Sequence, residues 1–215
     1  KLLNDNEKRI WKKRSEEYHK NFEIQNDKTY KKFFLQQIKL LKNKEVLDIE
    51  ETAIPLVDGA KEAVEKLQDK GKAYLISAGF YDFVIKVAQN LKMYYVANEL
   101  EYIESENGKF YSGKGKVNVT PFNKHKKIEE IIQEEIKPGI AGVLVFIDVF
   151  DFGVINYLSY EKNKTKIVKI LIYNPKNKEE MQKAHQLVEE KRVDFIFENF
   201  YQFLSSFDIE KIKPK

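Results

Sequence analysis

A serine and a glycine end a short apolar run in the first half of the sequence. The run Ala73-Tyr-Leu-Ile76 stops at Ser77, and Gly79 follows two positions later. This pattern is typical of a buried parallel strand that ends at a ligand site, where Ser77 would contact the ligand and Gly79 would let the backbone approach it closely. A strand end with an incidental serine would look the same, so the residues alone leave both interpretations open.

Two carboxylates follow the most apolar run of the chain. Asp148 ends the run Gly142-Val-Leu-Val-Phe-Ile147, and Asp151 comes three residues later. Carboxylate oxygens are hard ligands that suit Mg²⁺, an ion that takes only one or two protein carboxylates and keeps several waters. A helix N-cap at Asp151 and an ordinary loop acid at Asp148 would give the same sequence.

A lysine at the predicted start of a helix is a third candidate. Lys124 stands in the stretch Pro121-Phe-Asn-Lys-His125. A cation at this place could neutralise a phosphate, although most lysines in the opening turn of a helix face solvent.

Alternating helix and strand signals surround these residues from Pro55 onward. Helices are predicted at 59–71, 83–91, 124–135 and 178–190, strands at 72–77, 94–100, 142–148, 166–173 and 193–197, and a hairpin at 101–103 and 109–111. This alternation indicates an α/β fold with a mostly parallel sheet and helices on both faces. Ligands bind such sheets at the carboxyl ends of the strands, where Ser77, Asn98, Asp148 and Asn174 stand.

Residues 1–45 read as helices and little else. Aromatic and apolar residues recur there at helical spacing on both sides of a polar break at 25–28: Trp11, Tyr18 and Phe22, then Phe33, Phe34, Ile38 and Leu41. We interpret this stripe as packing surface rather than as a cofactor site.

Composition excludes several classes of function. The 215 residues suggest one α/β domain with at most a small appendage, and a net charge of +4 with interspersed charges does not favour nucleic acid. The absence of cysteine excludes disulfides, thiolate metal sites and a cysteine nucleophile, and the three histidines lie far apart. No membrane span or secretory leader is visible, so we expect a cytoplasmic protein. Because the chain begins at Lys1, we also expect a segment upstream of it.

Three stretches taken in order resemble the haloacid-dehalogenase-like (HAD) phosphatase superfamily. They are 54–60 with Ile76-Ser-Ala-Gly-Phe80, then 97–113 leading to Phe122-Asn-Lys124, and finally 143–151. Within the superfamily, the chain is most similar to phosphoserine phosphatases and pyrimidine 5′-nucleotidases that carry a helical cap. The resemblance covers about residues 33–205.

The resemblance implies a fold and a set of roles. It implies a Rossmann-like core at 53–215 and a helical cap at 1–52. Ser77 would hydrogen-bond the transferring phosphoryl group in a turn formed with Ala78 and Gly79, and Lys124 would stabilise the charge of that group. Asp148 and Asp151 would hold Mg²⁺. Positioned donors, a cation and a metal are what phosphoryl transfer requires.

The chain departs from the family at two motifs. The fourth motif usually has glycine before its first acid and a second acid four residues on, whereas here Ile147 precedes Asp148 and the loop contains bulky Val149, Phe150 and Phe152. The first motif, a strand ending in Asp-x-Asp-x-Thr whose first aspartate attacks phosphorus, has one near match, Asp48-Ile-Glu-Glu-Thr52, with Glu50 as the second acid.

The attacking aspartate therefore has two possible sources. Asp48 would follow a strand of only two residues, which is poor material for the central strand of a covered sheet, and its place after the cap segment argues the same way. We favour a first motif that lies upstream of Lys1 or on another chain, with Asp48 as the alternative.

Three functions are compatible with these patterns. The first is a Mg²⁺-dependent phosphohydrolase that acts on a small phosphorylated metabolite through an aspartyl-phosphate, provided that the first-motif aspartate is supplied. The second is a catalytically degenerate relative that serves as a binding or interaction module. The third is a phosphate- or nucleotide-binding regulatory domain on the same scaffold. Substrate identity and oligomeric state cannot be read from the sequence.

Overall fold

A computed structural model describes residues 3–20, 26–46, 54–135, 142–159 and 165–209. The elements in chain order are α1 (Asp5–Lys20), α2 (Asp27–Ile38, followed by a 3-10 turn at Lys39–Leu41), α3 (Ala60–Gln68), β1 (Tyr74–Phe80), α4 (Tyr81–Asn90), β2 (Tyr94–Ser105), β3 (Gly108–Lys116), α5 (Lys124–Glu135), β4 (Val143–Ile147), α6 (Phe152–Tyr157), β5 (Ile167–Ile172), α7 (Lys178–Glu189), β6 (Phe195–Phe197) and α8 (Phe200–Ser206). No helix in these ranges is long and apolar enough to cross a membrane.

The chain divides into two compact units. Unit 1 contains residues 1–54 and 74–120, and unit 2 contains residues 55–73 and 121–215. Unit 1 therefore holds α1, α2, α4 and the strands β1 to β3, whereas unit 2 holds the remaining helices and the strands β4 to β6.

The N-terminal helices of unit 1 follow the predicted pattern. The polar break supplies the start of α2, where the Asn26 side chain accepts from the Thr29 N–H and the Thr29 hydroxyl accepts from the Asn26 N–H. Tyr18, Phe34, Ile38 and Leu41 of the predicted apolar stripe are buried, as packing residues are, whereas Phe22 lies outside the described residues.

Unit 1 contains a mixed three-stranded sheet. β1 and β2 pair in parallel, and β2 and β3 pair antiparallel as the predicted hairpin. The strand predicted at 94–100 and the first arm of the hairpin, predicted at 101–103, form one continuous strand, β2. Only Glu106 and Asn107 lie between β2 and β3, and so short a connection can join antiparallel strands but not parallel ones.

Unit 2 contains an all-parallel sheet in the order β4-β5-β6. Its core includes Ala63 of α3, Ile170 of β5 and Phe203 of α8, each fully buried. The Val143 N–H donates to the Lys166 carbonyl over 2.8 Å, so Val145 and Ile147 also direct their amides toward β5.

The prediction of one mostly parallel sheet is corrected by these two sheets, one of which is partly antiparallel. Within the described ranges, β1 pairs only with β2 and β4 pairs only with β5, so no strand joins the two sheets into one. β4 nevertheless has the character of an interior strand: Val145 and Ile147 are buried, and Leu144 and Phe146 pack against the core on the other face.

Candidate functional site

A lysine and two aspartates come together in unit 2. Lys124 is the first residue of α5, Asp148 follows β4, and Asp151 precedes α6. The Lys124 ammonium donates to Asp151 Oδ1 in an ion pair whose side chains are only 16% and 7% exposed. The sequence predicted these three residues as a set, and the structure places them in one cluster, which we call the acidic cluster.

Asp151 holds the loop as well as the lysine. Its Oδ2 accepts from the Asp148 N–H over 3.3 Å, and its own N–H donates to the Asp148 carbonyl over 3.3 Å. Asp151 stands at the N-cap position of α6, but its side chain makes no capping hydrogen bond to that helix. The carboxylate therefore connects Lys124 to the end of β4 instead of capping a helix.

Asp148 has an unusual electrostatic environment. Its Oδ1 accepts from the Phe150 N–H over 2.7 Å. Loss of hydration and the negative charge of Asp151 raise the pKa of the Asp148 carboxyl to about 6, although the Lys124 ammonium opposes the shift. A divalent cation at Asp148 would relieve this repulsion, so the donor chemistry suits Mg²⁺.

Close backbone packing positions the acidic cluster. The Gly153 N–H donates to the Pro121 carbonyl over 2.8 Å, and a Cβ on Gly153 would lie 2.3 Å from the Phe122 carbonyl oxygen. The Phe122 and Phe152 rings stack at 6.1 Å. The bulky loop residues are thus accommodated because Phe152 packs on the segment that leads into Lys124. Gly153 is the one small residue in a run of large ones, and it is the sequence signal for this close packing that was not recognised.

Ser77 does not end the strand as predicted: it lies within β1 of unit 1, whose pairing with β2 is irregular between Ile76 and Phe80. Its hydroxyl oxygen accepts from the Gly79 N–H over 3.0 Å at the carboxyl end of β1. The intervening Ala78 carbonyl points into the unit, where it accepts from the Tyr30 hydroxyl over 2.6 Å and from the Asn98 amide over 2.7 Å. Ser77 to Gly79 are called the serine turn below.

A cavity of about 270 Å³ lies within unit 1 beside the serine turn. Phe80, the residue after Gly79, lines it together with Trp11, Phe83 and Asp82. The Asp82 carboxylate accepts from the hydroxyls of two tyrosines, Tyr102 and Tyr111. Because these hydroxyls occupy the one carboxylate in the wall, the rest of the cavity lining is almost wholly apolar and suits a small apolar group.

The alternative nucleophile is not placed by the structure. Asp48 and Glu50 lie outside the described residues. The residues that lead to them belong to the hairpin of unit 1: Glu45 bridges Phe110, and the Val46 N–H donates to the Lys109 carbonyl over 2.9 Å. Val46 therefore extends the edge of β3, and it does not pair with β1.

Comparison with known proteins identifies the fold. No family model and no curated protein matches the chain. Among solved structures, a phospho-aspartyl intermediate analogue of phosphoserine phosphatase superposes with a TM-score of 0.59 at 20% identity, over 93% of this chain and 86% of that one. An apo phosphoserine phosphatase gives 0.56 at 18% identity, over 96% and 94%, and a phosphoserine phosphatase from T. onnurineus gives 0.51 at 16%, over 95% and 86%.

These likenesses establish that the chain has a HAD-like α/β fold similar to that of phosphoserine phosphatases over most of its length. The resemblance predicted from the three sequence stretches is confirmed. At this level of identity, the comparison shows the fold alone.

Proposed function

We propose that the chain is the phosphate-handling part of a Mg²⁺-dependent phosphohydrolase that acts on a small phosphomonoester. The observation that carries this proposal is the buried Lys124–Asp151 pair with Asp148 beside it, at the carboxyl end of a parallel strand in a phosphatase-like fold. In this proposal, Lys124 stabilises the negative charge on the phosphoryl group. The role of Ser77 as a hydrogen-bond donor to a phosphoryl group stays a prediction.

Asp148 is the proposed ligand of Mg²⁺. Its Oδ1 is already held by the Phe150 N–H, and the repulsion from Asp151 favours a cation at the carboxylate. Both oxygens of Asp151 are engaged, by Lys124 and by the Asp148 N–H, so Asp151 orients its neighbours; its role as a second ligand stays a prediction. Bound Mg²⁺ would neutralise phosphoryl charge, and it would keep several waters.

The attacking aspartate is proposed to come from a strand that precedes Lys1 or belongs to another chain. β4 supports this because it is covered on both faces but paired on one side only within the described ranges. A parallel strand covered in this way is normally interior. The division into a cap at 1–52 and a core at 53–215 also remains a prediction.

The test is phosphate release from p-nitrophenyl phosphate by the product of the complete reading frame, with and without Mg²⁺. We expect release that depends on Mg²⁺ and is abolished by Asp148→Asn, but not by the matched change Asp69→Asn at the exposed end of α3. No release, or release unaffected by Asp148→Asn, would overturn the proposal. Loss of release in Asp48→Asn would instead identify Asp48 as the nucleophile.

A second function is favoured by the loop that follows β4. Phe150 is 38% exposed next to Asp148, in a loop that also contains bulky Val149 and Phe152 where the family that the chain resembles has small residues. A catalytically degenerate binding module would bind inorganic phosphate and release none from the aryl phosphate.

A further inference from the structure

The carbonyl of Ala78 is held from two directions by buried donors. The Tyr30 hydroxyl of α2 donates to it over 2.6 Å, and the Asn98 side-chain amide of β2 donates over 2.7 Å. Tyr30 is buried and Asn98 is fully buried. A carbonyl oxygen has two lone pairs, so both acceptor positions of Ala78 are filled.

Each donor is itself fixed. Asn98 Oδ1 accepts from the N–H groups of Asn118 and Val119, each over 2.8 Å, which leaves its Nδ2 as the group that faces Ala78. Burial raises the pKa of the Tyr30 hydroxyl far above its usual value, so Tyr30 remains a donor at every physiological pH. The Tyr30 ring also packs against the rings of Tyr18 and Phe34.

Holding this carbonyl fixes the direction of the next amide. In a trans peptide the C=O of Ala78 and the N–H of Gly79 point in opposite directions. Because the carbonyl points into unit 1, the Gly79 N–H must point out of it, and there it donates to Ser77 Oγ over 3.0 Å. With its oxygen accepting from Gly79, the Ser77 hydroxyl retains its own proton for donation to an anion.

We propose that Tyr30 and Asn98 are positioning residues that orient the serine turn for binding a phosphoryl group. They act through the Ala78 carbonyl and never touch the ligand. The inference rests on the proposed function in that it names what holds the phosphate-binding donors in place. The hydrogen bond from Tyr30 also connects helix α2 directly to the serine turn.

The test uses Tyr30→Phe, which keeps the ring packing and removes one donor. Tyr111→Phe is the matched control, because Tyr111 is also buried in unit 1 and donates to a different acceptor, Asp82 Oδ2, over 2.8 Å. Two quantities are measured on the full chain: the hydrogen exchange rate of the Gly79 amide by NMR, and the dissociation constant for inorganic phosphate.

We expect Tyr30→Phe to accelerate Gly79 exchange and to weaken phosphate binding, each by about fivefold, which is the effect of one lost hydrogen bond. Tyr111→Phe should change neither, although it should lower the thermal midpoint as much. Asn98→Asp, which keeps the acceptor for Asn118 and Val119 but not the donor for Ala78, should act in the same direction as Tyr30→Phe.

The outcomes separate the two proposals. If the wild type binds phosphate and Tyr30→Phe behaves like Tyr111→Phe in both measurements, the positioning role is overturned and the proposed function stands. If the wild type binds no phosphate, the proposed function fails, and the role of Tyr30 and Asn98 in phosphate binding fails with it.

Discussion

Replacing Lys124 by methionine tests the acidic cluster most directly. Methionine keeps much of the aliphatic stem and removes the charge, so packing is largely retained. The change leaves Asp151, which is 7% exposed, without its cation, and removing one partner of a buried ion pair costs about 3–5 kcal/mol. A cation in the first turn of a helix opposes the helix dipole, so its removal returns about 0.3–1 kcal/mol. The net expectation is a loss of about 2–4 kcal/mol in the free energy of unfolding.

The same substitution has a defined dependence on pH. The Asp148 pKa lies at about 6, above its usual value, so ionising this group on going from acid to neutral pH destabilises the folded state. Lys124 lowers that pKa, and removing it moves the pKa higher and strengthens the repulsion at neutral pH. Because the Asp148 residue is exposed in unit 2, solvent screens part of the coupling between Asp148 and Lys124. We therefore expect the free energy of unfolding that Lys124→Met loses to be only about 1 kcal/mol smaller at pH 5 than at neutral pH.

Urea unfolding at pH 7.5 and pH 5.0 measures both effects. The matched control is Lys127→Met on the same helix, where Lys127 pairs with Glu130 over 2.7 Å on an exposed face. Such a pair contributes about 0.5 kcal/mol or less. If Lys124→Met costs no more than Lys127→Met at pH 7.5, or costs the same at both pH values, the acidic cluster is not the buried, coupled group described above.

Two further predictions concern the same region. Asp148→Asn should be more stable than the wild type at pH 7.5 and no more stable below pH 4, because the raised pKa of Asp148 makes the wild type lose stability as the pH rises through about 6. Urea midpoints of both proteins across this pH range test the prediction. A difference between the midpoints that stays constant with pH would contradict it. Gly153→Ala should lower stability by about 2 kcal/mol or more because its Cβ would meet the Phe122 carbonyl at 2.3 Å, whereas Gly71→Ala, with nothing within 4 Å, should be neutral; equal thermal midpoints for the two variants would refute the close packing.

The order of elements could be predicted from the sequence because each has a local signal. Hydrophobic periodicity located the longer helices, and the apolar runs before Ser77 and Asp148 located β1 and β4. The short helices α6 and α8 were not predicted, because six or seven residues give too little periodicity. The extension of β2 to Ser105 was missed because a strand continues for as long as its cross-strand partners do, and β3 supplies partners as far as Gly108. The division into two sheets could not be predicted either, since pairing between distant strands has no local signature.

The candidate site residues could be named from the sequence, but the contacts that hold them in place could not. Lys124, Asp148 and Asp151 carry charges that mark them in any sequence. Asn98 was predicted at a strand end, but it lies inside β2 because the strand continues to Ser105. Its role depends on Ala78, twenty positions away, and on contacts that only the folded chain creates. Gly153 could have been noticed as the one residue without a side chain in a loop of bulky neighbours, which is the usual mark of a close backbone approach.

Among the described residues, four strands lie at the ends of a sheet, and they differ in how well they are protected from association with another strand. β3 is paired with residues 43–46 along part of its outer edge and carries lysines at positions 109, 114 and 116, and β6 is only three residues long. Covered edges, lysines and short strands are common ways to prevent one sheet from adding to another. β1 and β4 have no charged residue and no proline. Within the described residues, β1 and β4 therefore each have one unpaired edge without these protections, and the solubility of the protein depends on what covers those two edges.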